Sequence, residues 1–467
     1  MYKTRLRGIL VKKREDETMD EISKDRDKEN AGRDEHPEDA VNGVRVGQGG
    51  LPDGAPEGDG RTRRNGKTGF SLLLLAVLRG LAGPGLFSSL GVFFPAVAEA
   101  GGGSLGMLSL SVSLASVAGA CFLPLAGRLY GRHGFRRVTL GGVLAMTAAY
   151  ALYAVSPAPA WRALLSLPLG CGMVMLVNLM APCYLRFRGA DTGSSLGSLV
   201  ALSGLTGAVF QPLLAMALAA WGWRVAYLVF GLGTLALMGG ALFLLPPVAA
   251  SEGSLPSRVP ASSDASAPDN SPAAGTGTAP RGAFISLFLY QGIITGFTMF
   301  HQHFSTFAEG AGLAGRTMTV ALTLSMLTSA VGAFALGLLT RRYGAGRTGV
   351  GVLFLAAASV LLFGFTGGST GGFLIAAALH GAASGAIGVT VPAAAREVYS
   401  EGDYARSLSR IMVSSPLFTL LFMQLYGVSY DRTGNFGISL LVLLAALGAG
   451  AAIFSRVFGH RRERRRA

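Results

Sequence analysis

No lysine follows Lys67, and no aspartate or glutamate falls inside any of the long apolar runs that fill the rest of the chain. Charged residues make up only 14% of the 467 positions, against about a quarter in average soluble domains. That shortfall argues against an ordinary soluble enzyme. Cysteine is equally scarce: Cys121, Cys171 and Cys183 are the only three, with no metal-ligand spacing and no disulfide framework. Without a lysine beyond the first 67 residues there is no Walker-type phosphate loop, which excludes ATP-driven pumping by this chain. No serine-nucleophile motif or cluster of catalytic carboxylates appears, so the reading is of a non-enzyme that needs neither cofactor nor metal.

The basic excess, a formal +14, is what remains to be placed. The first 67 residues carry 15 basic and 15 acidic side chains and sum to zero, so the whole excess belongs to the remainder, where every cation is arginine. Residues 1–67 have no apolar period and almost no aromatics, too little to offset ordering entropy. They read as a disordered cytoplasmic tail, and the run Val11-Lys12-Lys13-Arg14-Glu15-Asp16 argues against a secretory signal, which needs an apolar core near a basic start.

From Phe70 onward, apolar runs recur at the roughly 20-residue length that a spanning helix needs. They fall at about 70–98, 106–127, 137–155, 162–184, 194–219 and 224–245, and again at about 283–307, 317–340, 348–366, 371–394, 410–429 and 436–457. The expected fold is an all-α membrane protein with twelve transmembrane helices in two six-helix halves, residues 68–245 and 282–458. Between them, residues 246–281 are rich in Ser, Pro, Ala and Gly and read as a flexible cytoplasmic linker; residues 459–467 form a basic tail. Lys and Arg near span ends stay cytoplasmic. Fourteen arginines lie in the even-numbered breaks, against Arg162, Arg224, Arg316 and Arg432 in the odd ones. Both termini are therefore expected in the cytoplasm, and the arginine run at 461–466 reads as an anchor at lipid headgroups, not a nucleic-acid patch.

A repeat ties the halves together. Gly127, Leu129, Arg132, Gly134 and Arg137, between spans 2 and 3, recur 210 positions later as Gly337, Leu339, Arg342, Gly344 and Arg347, between spans 8 and 9. The pattern resembles the G-x-x-x-D-R-x-G-R-R loop of the major facilitator superfamily, whose twelve spans in two halves with a central linker match this layout. The resemblance implies a secondary carrier that alternates access around a midplane cavity, with Arg132, Arg136, Arg137, Arg342 and Arg347 as residues of a cytoplasmic latch. The family's acidic position is lost, reading Gly131 in one copy and Arg341 in the other. Glu397, Glu401 and Asp403, the acids after span 10, are the expected partners of these arginines.

Two stretches resemble the monocarboxylate and oxalate/formate carrier group more narrowly. One is the run from Gly85 to Pro95, GLFSSLGVFFP; the other runs from Tyr184 to Gly189 and is followed by Trp221-Gly222-Trp223-Arg224-Val225-Ala226-Tyr227. The resemblance implies a small organic anion as cargo, moved by proton symport or exchange. Animal members of that group place a lysine where this chain has Ser88 and an Asp/Arg pair in span 8, which here, from Thr317 to Thr340, has no charge.

An ionised side chain deep in lipid is costly and marks function by default. Arg79, inside span 1, is the clearest case and can pair with a carboxylate bidentately; a snorkelling arginine is the alternative. His380, in span 10, titrates in a range suited to proton coupling, although a neutral histidine hydrogen-bonded between helices explains it as well. His301 and His303 alternate with Gln302, so at most one is expected to point inward. Asn178, Gln211, Tyr290, Gln291 and Gln424 are uncharged polar residues within spans, either cavity-lining or helix–helix hydrogen-bonding. Pro84, between Gly83 and Gly85, is expected to break span 1. The expected unit is a monomer in the lipid bilayer. Two rival readings keep the fold: efflux of amphipathic drugs or neutral solutes, and a non-transporting sensor or assembly factor.

Overall fold

The computed structural model describes residues 57–101, 103–156, 159–188, 192–245, 281–313, 315–366 and 368–466. The chain separates into two units, Met1–Gly58 and Asp59–Ala467, and the architecture is that of the second. Most of the expected tail and the linker up to residue 280 lie outside the described residues. A helix covers Glu57–Gly80, beginning within the last residues of the expected tail.

Among the described residues every element is helical, and nine stretches are long and apolar enough to cross a membrane. Two of them, Leu105–Val155 and Leu199–Leu244, hold 51 and 46 residues, about twice what a bilayer needs. Each is divided by a glycine with non-helical backbone, Gly134 (φ 76°, ψ 168°) and Gly222 (φ 70°, ψ 170°). Pro159–Arg188 lies between these two stretches, with the shorter apolar core Trp161–Val177. The layout is thus consistent with twelve spans. The second half follows as Gly282–Gly310, Arg316–Tyr343, Ala345–Phe365, Thr370–Val398, Arg406–Thr433 and Gly437–Phe458.

The repeat has a backbone explanation. Gly134 and its counterpart Gly344 (φ 84°, ψ 157°) both occupy a region of φ/ψ space that is essentially glycine-only, and each turns the chain between two spans. Nothing lies within 4 Å of a Cβ built on Gly134, so the constraint there is conformational, not steric. Gly134→Ala is therefore expected to cost about 1–3 kcal/mol and to lower the melting temperature of the detergent-solubilised protein. An unchanged melting temperature would show that the turn relaxes freely.

Span 1 is not one regular helix. Pro84 has no N–H to give, so the α ladder cannot run through it, and the chain forms a π turn at Leu81–Leu86 and a 3₁₀ segment at Phe87–Phe93 before Phe94–Glu99. Pro84 packs on span 5, where a Cβ on Gly207 would meet it. Among the described residues the halves meet through three span pairs: Gly91 of span 1 with Gln302 of span 7, Gly106 of span 2 with Gly427 of span 11, and Gly204 of span 5 with Ala330 of span 8. The operation that carries spans 2 and 5 into 8 and 11 exchanges the last two pairs, as a parallel repeat requires. Within the second half, Gly292 and Gly296 face Phe418 and Phe422, and Gly381 and Gly385 face the backbone of span 8. These glycines act as close-packing surfaces.

Candidate substrate site and gates

Arg79 ends the regular part of span 1, immediately before the π turn. It lies about ten residues inside the Gly69–Glu99 stretch, roughly 15 Å deep at 1.5 Å per residue. It is half-buried and has no hydrogen-bond or ion-pair partner among the described residues. Arg79 and Phe87 would lie about 80° apart on an ideal helix at about 100° per residue; the extra residue accommodated by a π turn brings them to within about 20°. Phe87 and Gly91 form the edge of span 1 that meets span 7, since Gln302 Nε2 donates to the Phe87 carbonyl at 3.0 Å. Beside Arg79, Gly80 lies against Ser203 and Thr206 of span 5, and Gly83 lies against Val177 of span 4.

Gln211 is the strongest polar companion. It is fully buried on span 5, and neither its Oε1 nor its Nε2 has a partner among the described residues. Its place is one turn beyond the Gly207–Pro84 contact, level with half-buried Ser88 because spans 1 and 5 run parallel. Orphaned buried amide groups are costly, and a polar solute would satisfy them.

The other expected site residues do not gather around Arg79. Tyr290 donates to the Gly349 carbonyl at 3.3 Å, and Gln291 Nε2 donates to Ser415 Oγ at 2.9 Å; these tie span 7 to spans 9 and 11. His380 Nε2 donates to the Phe297 carbonyl at 3.0 Å, and its Nδ1 has no partner among the described residues. His301 lies 6.3 Å from His380, ring to ring. Gln424 is half-buried on span 11 with its Nε2 unpartnered. The side chain of Asn178 lies outside the described residues. The alternation expected at 301–303 fails: His301, Gln302 and His303 are all buried, because span 7 tightens into a 3₁₀ turn there and is surrounded by other spans. His303 packs between Phe94, Tyr426 and Phe436.

The arginine-rich end carries the two repeat loops. A Cβ on Gly127, Gly131 or Gly337 would meet nothing within 4 Å. Arg136 donates to the Leu245 carbonyl in its own half, and Arg342 lies 5.4 Å over the Tyr343 ring. Arg132, Arg137 and Arg347 are carried on the same two loops. Glu397 accepts the Ala345 N–H at 2.9 Å, capping the helix that starts at Gly344, while exposed Asp403 accepts from Ser400 Oγ at 3.2 Å. The side chain of Glu401 lies outside the described residues.

The opposite end is closed by groups that the apolar periodicity does not mark. Gln302 Oε1 accepts the Gly91 N–H at 2.8 Å. The carboxylate of Asp431, at the end of span 11, accepts the N–H groups of Leu105 and Gly106 at 2.8 Å each. That places a negative charge on the positive end of the span 2 helix. At the first contact there is no room for a side chain, since a Cβ on Gly91 would overlap the Gln302 backbone. Gly91→Ala should therefore raise maleimide labelling of a Ser305→Cys probe, Ser305 being buried at this end, by several-fold. Unchanged labelling would show that the closure does not depend on this contact.

The comparisons with known proteins agree with this architecture. Residues 72–314, just over half of the chain, match the Major Facilitator Superfamily. A search of curated proteins gives no match. Among solved structures, a point mutant of the nucleoside transporter NupG aligns with a TM-score of 0.65 at 12% identity, covering 83% of this chain and all of that one. A bacterial homologue of the human lysosomal transporter Spinster, described as inward-facing and unoccupied, aligns with a TM-score of 0.58 at 13% identity, covering 83% of this chain and 96% of that one. At such identities these likenesses speak for the fold. The family match, the helical layout and the repeated glycine turns lead to one assignment: the chain is an integral membrane protein of the Major Facilitator Superfamily.

Proposed function

We propose that the chain is a secondary transporter for a small organic anion of monocarboxylate type, working by alternating access. The observation that carries this reading is Arg79, a half-buried guanidinium in the middle of an apolar span with no partner among the described residues. A charge in that position is costly unless something pairs with it, and a carboxylate is the natural bidentate partner. Gln211 and Ser88 supply neutral polar groups about two and a half turns, roughly 13 Å, further along. On the positive-inside reading the arginine-rich end is cytoplasmic, both termini lie there, and the conformation is inward-facing. The expected cytoplasmic latch then forms only in the opposite state, when the two repeat loops approach the other half.

The test is uptake of labelled pyruvate into proteoliposomes at two pH values, with unlabelled lactate, formate, oxalate and a neutral solute of similar size as competitors. The anion reading predicts inhibition by the monocarboxylates and none by the neutral solute. Inhibition by the neutral solute alone would favour the efflux reading. Acceleration by an inward proton gradient marks symport, and indifference to pH in the presence of internal anion marks exchange.

A further inference from the structure

The break in span 1 decides where Arg79 points. A π turn is a slip of the backbone ladder by one residue, from i→i+4 to i→i+5 pairing, and in span 1 it occupies Leu81–Leu86, just before the 3₁₀ segment that begins at Phe87. Pro84 explains why a slip occurs here, since its ring excludes a regular α bond. It does not fix which carbonyl ends the slip. Arg79 precedes Leu86 by seven residues, about two turns or roughly 10 Å. Erasing the slip would swing the guanidinium by about 100° around the helix axis relative to Phe87 and Gly91.

A side chain of span 3 reaches the carbonyl in question. The Tyr150 hydroxyl donates to the Leu86 carbonyl at 2.6 Å, at the junction between the π turn and the 3₁₀ segment. Tyr150 and Leu86 are both fully buried, so water does not compete for the bond and the low dielectric strengthens it. The Tyr150 ring packs among Phe93, Tyr153 and Tyr227, with centroids 6.5, 6.2 and 5.5 Å away. Gly231 of span 6 leaves room for it, since a Cβ there would lie 3.0 Å from the Tyr150 Cβ. Ser203 of span 5 offers a weaker hold on the other side of Arg79: its hydroxyl is given to the Leu199 carbonyl at 2.6 Å and lies 3.3 Å from that of Ala76. The next carbonyl of span 1, that of Phe87, accepts from Gln302 in the other half. That bond must break when this end opens. Spans 1 and 3 share a half, so the Tyr150 bond survives a rocking of one half against the other.

We infer that Tyr150 is a positioning residue for Arg79: its hydroxyl fixes the slip at Leu86 and so keeps the guanidinium on the substrate side of span 1 in both access states. The inference deepens the anion reading and rests on it for what Arg79 meets.

Tyr150→Phe keeps the ring and removes the hydroxyl. In proteoliposomes with matched amounts of inserted protein it should raise KM for pyruvate by about five-fold, the size of one net hydrogen bond. The kcat should hardly move, because a displaced cation loses binding common to ground and transition states. In an Arg79→Gln background the same change should leave KM where it is, since residues that act through one contact are not additive. A purely structural role would lower inserted protein and kcat without this dependence on Arg79. The register is read without any substrate: in a chain with Cys121, Cys171 and Cys183 changed to serine, methanethiosulfonate labelling of Arg79→Cys should slow several-fold when Tyr150→Phe is added. Unchanged labelling, an unchanged KM, or a KM effect of equal size with and without Arg79 overturns the inference. Slowed labelling in a chain that transports no carboxylate leaves the register device standing and removes the anion reading; carboxylate uptake with unchanged labelling does the reverse.

Discussion

Replacing Asp431 with alanine is expected to open the end of the bundle that is closed here, increasing labelling of a buried cysteine there by about ten-fold or more. The carboxylate accepts two backbone N–H groups from the first turn of span 2, and hydrogen bonds to a charged group contribute about 1.5–3 kcal/mol each. These bonds join spans 2 and 11, in opposite halves, and separating that end must break them. Removing them shifts the equilibrium between access states, and about 1.4 kcal/mol is a factor of ten. A suitable probe is Ser109→Cys in a background with Cys121, Cys171 and Cys183 changed to serine. Ser109 is buried and lies where a Cβ on Gly427 would meet it. Asp431→Asn retains one acceptor oxygen and should give a smaller increase. Equal labelling rates in all three proteins would show that the carboxylate caps span 2 without holding the gate.

Arg79→Gln should lower kcat/KM for anion uptake by about 30-fold or more, because truncating one partner of a buried charge pair costs about 2–5 kcal/mol. Arg79→Lys keeps the charge but loses the planar fork and should recover only part of the activity. The amount of inserted protein has to be measured alongside. If uptake per molecule is normal and only insertion falls, Arg79 is an interfacial anchor that snorkels and the substrate is held elsewhere. Gln211→Leu offers an independent view of the same region: it removes two orphaned buried polar atoms, so it should weaken uptake without destabilising the fold.

Much of the fold is legible in the sequence because membrane helices are local objects. A run of about 20 apolar residues must form its hydrogen bonds internally, so the spans follow from composition, and Pro84 announces the irregular turn in span 1. The repeat glycines are legible for the same reason, since Gly134 and Gly344 answer a local backbone demand. Arg79 stands out because a charge interrupts an apolar run. The gate is different in kind. Asp431 reads as an ordinary acid at the end of a span, and Gln302 as a spacer between two histidines. Their partners are up to 326 positions away, in the other half, and no periodicity encodes that pairing. Arg162 misleads in the same way: a position at the start of a span suggests a loop, and only the convergence of spans 1, 2, 3, 4 and 6 buries it. Tyr290 and Gln291 are legible as polar residues in apolar runs, and their hydrogen bonds to Gly349 and Ser415 tie span 7 to spans 9 and 11.

The most direct test of a carrier with one cationic anion site, open to each side in turn, is counterflow. Proteoliposomes loaded with unlabelled pyruvate and diluted into a trace of labelled pyruvate should accumulate label transiently above its external concentration in the wild-type protein, and Arg79→Gln vesicles with equal protein content should not. Accumulation that is indifferent to Arg79, or none in the wild type while a neutral solute exchanges freely, would contradict the account.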